Sequence, residues 1–74
     1  MNPIKEAAEA IQAAEKRVPG LSLRMDVSAK FVHVTGRLKE YELARTVSWT
    51  DIDEALMNPL MITIASIENQ IAKL

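Results

Sequence analysis

The chain has no cysteine, one histidine, two glycines and three aromatic residues, Phe31, Tyr41 and Trp49. Without cysteine there is no disulfide and no thiolate metal site, and a lone His33 cannot form a histidine cluster. Gly20 and Gly36 fall in different predicted elements, so no glycine-rich loop is present to cradle a phosphate. Long hydrophobic runs are missing as well. The longest, LMITIASI, is eight residues and contains Thr63 and Ser66, whereas a membrane-spanning helix needs about 20 apolar residues. Excess charge is also lacking: 9 basic and 10 acidic side chains leave a net −1. Whole-chain charge therefore supplies no attraction to nucleic acid or to an acidic membrane. The opening MNPIKEAAEAIQAAEK carries charges throughout instead of the apolar run of a signal peptide. The expectation is a cytoplasmic protein that works without a cofactor, a metal or a membrane.

The 74 residues are read as one domain, 1–74. Chains of this size bury only roughly 60% of the surface they expose when unfolded. With disulfides and metals excluded, good packing or oligomerisation must supply the stability that a small core does not.

Three segments have different periodicities. Over 2–18 apolar residues recur at helical spacing (Ile4, Ala7, Ala8, Ile11, Ala14, Val18), with Asn2 as cap, Pro3 in the first turn and Pro19-Gly20 as the stop. Over 21–28 the pattern alternates. Leu21, Leu23, Met25 and Val27 share one face, while Ser22, Arg24, Asp26 and Ser28 share the other. Ala29-Lys30 makes a tight connection to a second strand over 31–37, with Val32, Val34 and Gly36 facing one way and Phe31, His33 and Thr35 the other. A third strand over 41–48 puts Tyr41, Leu43 and Val47 on one side. Arg45 falls on that apolar side, so either its head snorkels out at an edge or the register is slightly different. Helical spacing returns after Thr50, which with Asp53 forms a capping-box pattern. Asn58-Pro59 interrupts this last region, giving a short helix over 51–57 and a longer one over 60–73, or one kinked helix. The fold class is α+β: α-β-β-β-α order, a three-stranded antiparallel sheet against helices, and a C-terminal helix broken near Pro59.

Met57, Leu60, Ile64, Ile67, Ile71 and Leu74 are spaced 3, 4, 3, 4, 3 and form a heptad-like seam. Met61, Ala65 and Ala72 widen it on one flank, while Ile62 lies well around the helix. Either the seam is only core, or one flank meets a partner, most simply a second copy with the two helices antiparallel. Glu68 and Lys73 would then be matched across the pair.

No constellation points to catalysis. His33 has no nucleophile at a diagnostic spacing, and helix-end electrostatics account for Asp51, Asp53 and Glu54. The expectation is a non-enzymatic protein–protein interaction module, an adaptor, inhibitor or regulatory subunit, in the form of a homodimer. Its candidate binding residues are Tyr41, Trp49, Met57, Met61 and Ile62. The alternative is nucleic-acid binding. Residues 21–48 carry five cations against three anions, and Arg24, Lys30, Arg37 and Lys39, with His33 beside Arg24, would present them to phosphates.

Overall fold

In the computed structural model, residues 2–74 are described. The element order is α1 (Pro3–Arg17), β1 (Ser22–Val27), β2 (Phe31–Leu38), β3 (Tyr41–Ser48), α2 (Trp49–Glu54) and α3 (Pro59–Ala72). The strands form one antiparallel sheet in the order β1-β2-β3. Both long helices lie on one of its faces. No helix among the described residues is long and apolar enough to cross a membrane.

Local chemistry sets the boundaries. Asn2 Oδ1 accepts from the Lys5 amide and Pro3 occupies the first turn of α1. Gly20, at φ 87°, turns the chain from α1 into β1 through a conformation that side chains disfavour. The β1–β2 connection is the three residues Ser28-Ala29-Lys30, closed by the Ser28 amide on the Phe31 carbonyl at 2.9 Å. Lys39, at φ 56°, takes the left-handed position of the β2–β3 turn.

The helical region starts earlier than its sequence pattern suggests. Ser48, still extended, caps α2 by accepting from the Asp51 amide at 3.1 Å, so Thr50 lies inside the first turn and is not the cap. The reason is the sheet: the Trp49 amide donates to the Lys30 carbonyl at 3.1 Å, and the strand ladder ends there. The short helix accordingly spans 49–54, and residues 55–58 are a linker. Asn58 caps α3. Its Oδ1 accepts from the Leu60 amide, with Pro59 in the first turn of α3. Its Nδ2 also donates to the Pro3 carbonyl and to Glu6 Oε1, which ties the start of α3 to the start of α1.

The core lies between sheet and helices. Leu60, Ile64, Ile67 and Ile71 of α3 meet Leu21, Leu23, Val32, Val34 and Val47 of the sheet side and Ala7 and Ala14 of α1. The alanines let the two helices and the sheet approach closely; Ala8, one position along, is exposed. The seam is therefore this domain's own core over four of its six positions. Met57 precedes the Asn58 cap and Leu74 follows the last turn of α3, so both are outside it and exposed. Gly36 is buried because α3 presses on it: an added Cβ would overlap Ile67 Cγ2 and come within 3.1 Å of Leu23 Cδ2.

One outward backbone group on each edge strand is held by a side chain. The Leu23 amide, on the outer edge of β1, donates to Glu15 Oε2 of α1 at 2.9 Å. On β3 the odd-numbered residues direct their backbone groups to β2, so Ala44 points outward. Its carbonyl accepts from Arg45 Nη1 at 2.9 Å, and Arg45 Nη2 is held by Gln70 Oε1 of α3 at 2.8 Å. Arg45 thus does reach out from the apolar face at an edge.

Arg17 and Glu68 join α1 to α3 through a two-pronged pair, Nε to Oε2 at 2.9 Å and Nη2 to Oε1 at 2.8 Å. Hydrogen bonding from Arg17 holds the Glu68 carboxyl below its ordinary range, against a smaller opposing effect of burial. The same bond raises the Arg17 guanidinium, which stays charged throughout. Because the folded carboxyl titrates lower than the unfolded one, its contribution to stability is complete above the unfolded value. It fades as pH falls through the folded value. The urea midpoint should therefore drop as pH is lowered below about 4.3. Glu68→Gln should start lower at neutral pH and show a shallower acid limb. Parallel acid limbs would show that the pair does not contribute.

Candidate functional site

The sequence-predicted protein-binding residues do not form one site. Trp49 is half-buried against the core, and its Nε1 donates to the Ser28 carbonyl at 2.8 Å. It fastens the β1–β2 turn to the start of α2. Tyr41 is exposed at the opposite end of the sheet, paired with Leu38 beside the β2–β3 turn. Ile62 is 57% exposed on the side of α3 away from Leu60 and Ile64. Met57 and Met61, however, come together. They line a groove of about 600 Å³ between α1 and the start of α3, with Glu6, Glu9, Ala10, Leu56 and Asn58.

Leu56 is the residue that the sequence pattern hides. It is 99% exposed, and Met57 beside it is 70% exposed. The geometry follows from chain connection. α2 ends at Glu54, Ala55 is extended, and Asn58 is fixed at two points on α1. The intervening Leu56-Met57 arches over the gap without reaching the core. An apolar pair in an arch of this kind contributes little to folding. It does present hydrophobic surface next to a groove whose methionines can adjust to different shapes.

The charge around this groove is negative. Glu6 and Glu9 stand on its α1 side, and no lysine or arginine is among the described residues lining it. Asp53 lines the adjoining opening with Pro3, Ile52, Ala55 and Asn58.

The alternative cationic site is only partly assembled. The register puts Thr35 opposite Arg24 and Asp26 opposite His33, so Arg24 and His33 are not direct partners across the hairpin. Arg24 and Arg37 do share one opening of about 350 Å³ on the wet face, with Ser22, Asp26, Thr35 and Glu42. Each guanidinium faces a carboxylate there, Asp26 at 3.5 Å and Glu42 at 4.0 Å. Lys39 is at the near turn. Lys30 is at the far one, separated by the eight residues of β2, about 26 Å at the rise of a strand. His33 Nδ1 lies 2.7 Å from Thr46 Oγ1 on the same wet face.

Among the described residues no three His, Asp or Glu side chains gather closely enough to hold a metal ion. No family model matches the chain, and no curated protein or solved structure is significantly similar to it.

Proposed function

We propose that the protein is a non-enzymatic protein–protein interaction module, an adaptor, inhibitor or regulatory subunit acting in the cytoplasm by covering or recruiting another protein. The observation that carries this reading is the exposed apolar cluster of Leu56, Met57 and Met61 around the α1–α3 groove. Its side chains are spared from the core, and contiguous exposed apolar surface of this kind marks contact sites.

A photo-crosslinking residue at position 56, compared with one at position 22 on the wet face, tests it in extract of the native host. Discrete adducts at 56 that disappear when Met61→Asp is added are the expected result. Equal labelling from both positions would overturn the reading.

The homodimeric form uses the outer side of α3, where Ile62 is exposed. Two helices crossing a two-fold axis would cover it, within a total of roughly 1,200–2,000 Å² for a stable pair. The Glu68–Lys73 match has no place in that pair, because Glu68 is engaged by Arg17. Solution mass across a concentration series decides it. Doubling that Ile62→Asp abolishes supports the pair, and a strict monomer at high micromolar concentration removes it. The nucleic-acid reading has Arg24 and Arg37 at one opening in its favour, but their carboxylate neighbours weaken it.

A further inference from the structure

We infer that the α1–α3 groove receives an amphipathic helical segment of another protein, apolar on the face that enters and rich in lysine or arginine along its flank. This rests on the interaction reading above and adds the chemistry of the partner.

Charge is the first argument. The apolar lining of Ala10, Leu56, Met57 and Met61 is bordered by Glu6 and Glu9, with no cation among the described lining residues. Asp53, exposed, lines the adjoining opening. The amino termini of α1 and α3 both open nearby, and each contributes a partial positive charge of roughly half a unit. The first free amide of α3, that of Leu60, is already satisfied by Asn58. The two lining carboxylates, Glu6 and Glu9, outweigh these partial charges, so the field over the groove is negative.

Shape is the second argument. The groove lies between two helices whose starts are tied together by Asn58, and its apolar residues come from both of them and from the arch. A third helix laid into such a groove offers apolar side chains at successive turns while its polar flank faces the rim. A second copy of this chain is a poor occupant. Two grooves meeting across a two-fold axis would bring Glu6 and Glu9 of both copies together, with no lining cation to offset them.

The probe is a synthetic amphipathic helix of about 18 residues, about 27 Å long, with leucine and methionine on one face and lysine on the other. Its counterpart has glutamate at every lysine position. Binding is followed by calorimetry and by amide chemical shifts of the intact chain. The lysine peptide should bind and perturb Ala10, Met57 and Met61. The glutamate peptide should bind at least about tenfold more weakly, and high salt should narrow the difference.

Met57→Asp and Met61→Asp should each reduce affinity for the lysine peptide at least about tenfold. Both residues lie outside the core, so the far-ultraviolet spectrum should not change. Glu9→Lys should reduce affinity for the lysine peptide and increase it for the glutamate peptide. Equal binding of the two peptides, or shifts confined to the wet sheet face, would overturn the inference. So would a failure of both to bind while position 56 still forms its specific adducts; the interaction reading would then stand with a partner of different chemistry. A concentration-dependent dimer abolished by Met57→Asp would make the occupant a second copy and overturn it as well.

Discussion

Ile64→Ala is expected to lower stability by about 2–5 kcal/mol, the usual range for removing a buried branched side chain and leaving a cavity. Ile64 is 1% exposed, in the middle of the row that α3 presses onto the sheet. The whole fold of such a chain is worth roughly 4–11 kcal/mol at typical values per residue. The variant should therefore unfold at a much lower urea midpoint, and a marginal wild type would leave it partly unfolded in buffer. The internal control is two residues away. Ile62→Ala removes the same atoms from the outer side of the same helix and, measured at a concentration where the chain is monomeric, should change stability by no more than about 0.5 kcal/mol, aided by the better helix propensity of alanine. Equal losses at the two positions would mean that the buried row is not where the structure places it.

Gly36→Ala is expected to destabilise, against the usual direction of that exchange. Alanine in place of glycine at an ordinary backbone conformation stabilises by about 0.4–1 kcal/mol through the unfolded chain. Here the new methyl group would overlap Ile67 Cγ2 and crowd Leu23 Cδ2, both on buried residues. Overpacking of this kind costs about 1–3 kcal/mol, so the steric effect wins. A fall in Tm on the order of 5–15 °C should follow for a domain of this size. The test of cause is the pair with Ile67→Ala, which vacates the space that the methyl group needs. The double variant should be more stable than the sum of the single losses predicts. Strict additivity would mean that Gly36 is required for some reason other than its contact with α3.

Much of this architecture is legible in the residues because local signals agree. Asn2-Pro3 and Asn58-Pro59 each put a side-chain acceptor before a proline, and each starts a helix. Alternation places Val32, Val34 and Gly36 on the covered face as observed. The start of α2 is not decided this way, since Ser48 and Thr50 are both capable caps. A hydrogen bond to Lys30, in the distant β1–β2 connection, selects between them. Glu68 looks like an outward residue of α3 until α1 brings Arg17 beside it. The groove is half visible: Met57 and Met61 stand out as apolar residues, but the 3/4 spacing puts Met57 in a helical seam. Only the anchoring of Asn58 on α1 turns Leu56-Met57 into an arch. Trp49 and Tyr41 attracted attention as large aromatics, a property that says nothing about whether they share a surface.

The side chain held against each sheet edge has a consequence for what happens when the protein is damaged or crowded. The Glu15 carboxylate that occupies the Leu23 amide belongs to α1, and the Arg45 head over the Ala44 carbonyl is steadied by α3. Neither β1 nor β3 contains a proline to stop a further strand from adding. At these two positions the obstacle to an added strand is thus lent to the sheet by the helices. A molecule that sheds α1 exposes the β1 edge and loses cover over its apolar face in the same event. The species most prone to seed an aggregate is therefore the one with an intact sheet and a detached helix, rather than the fully unfolded chain.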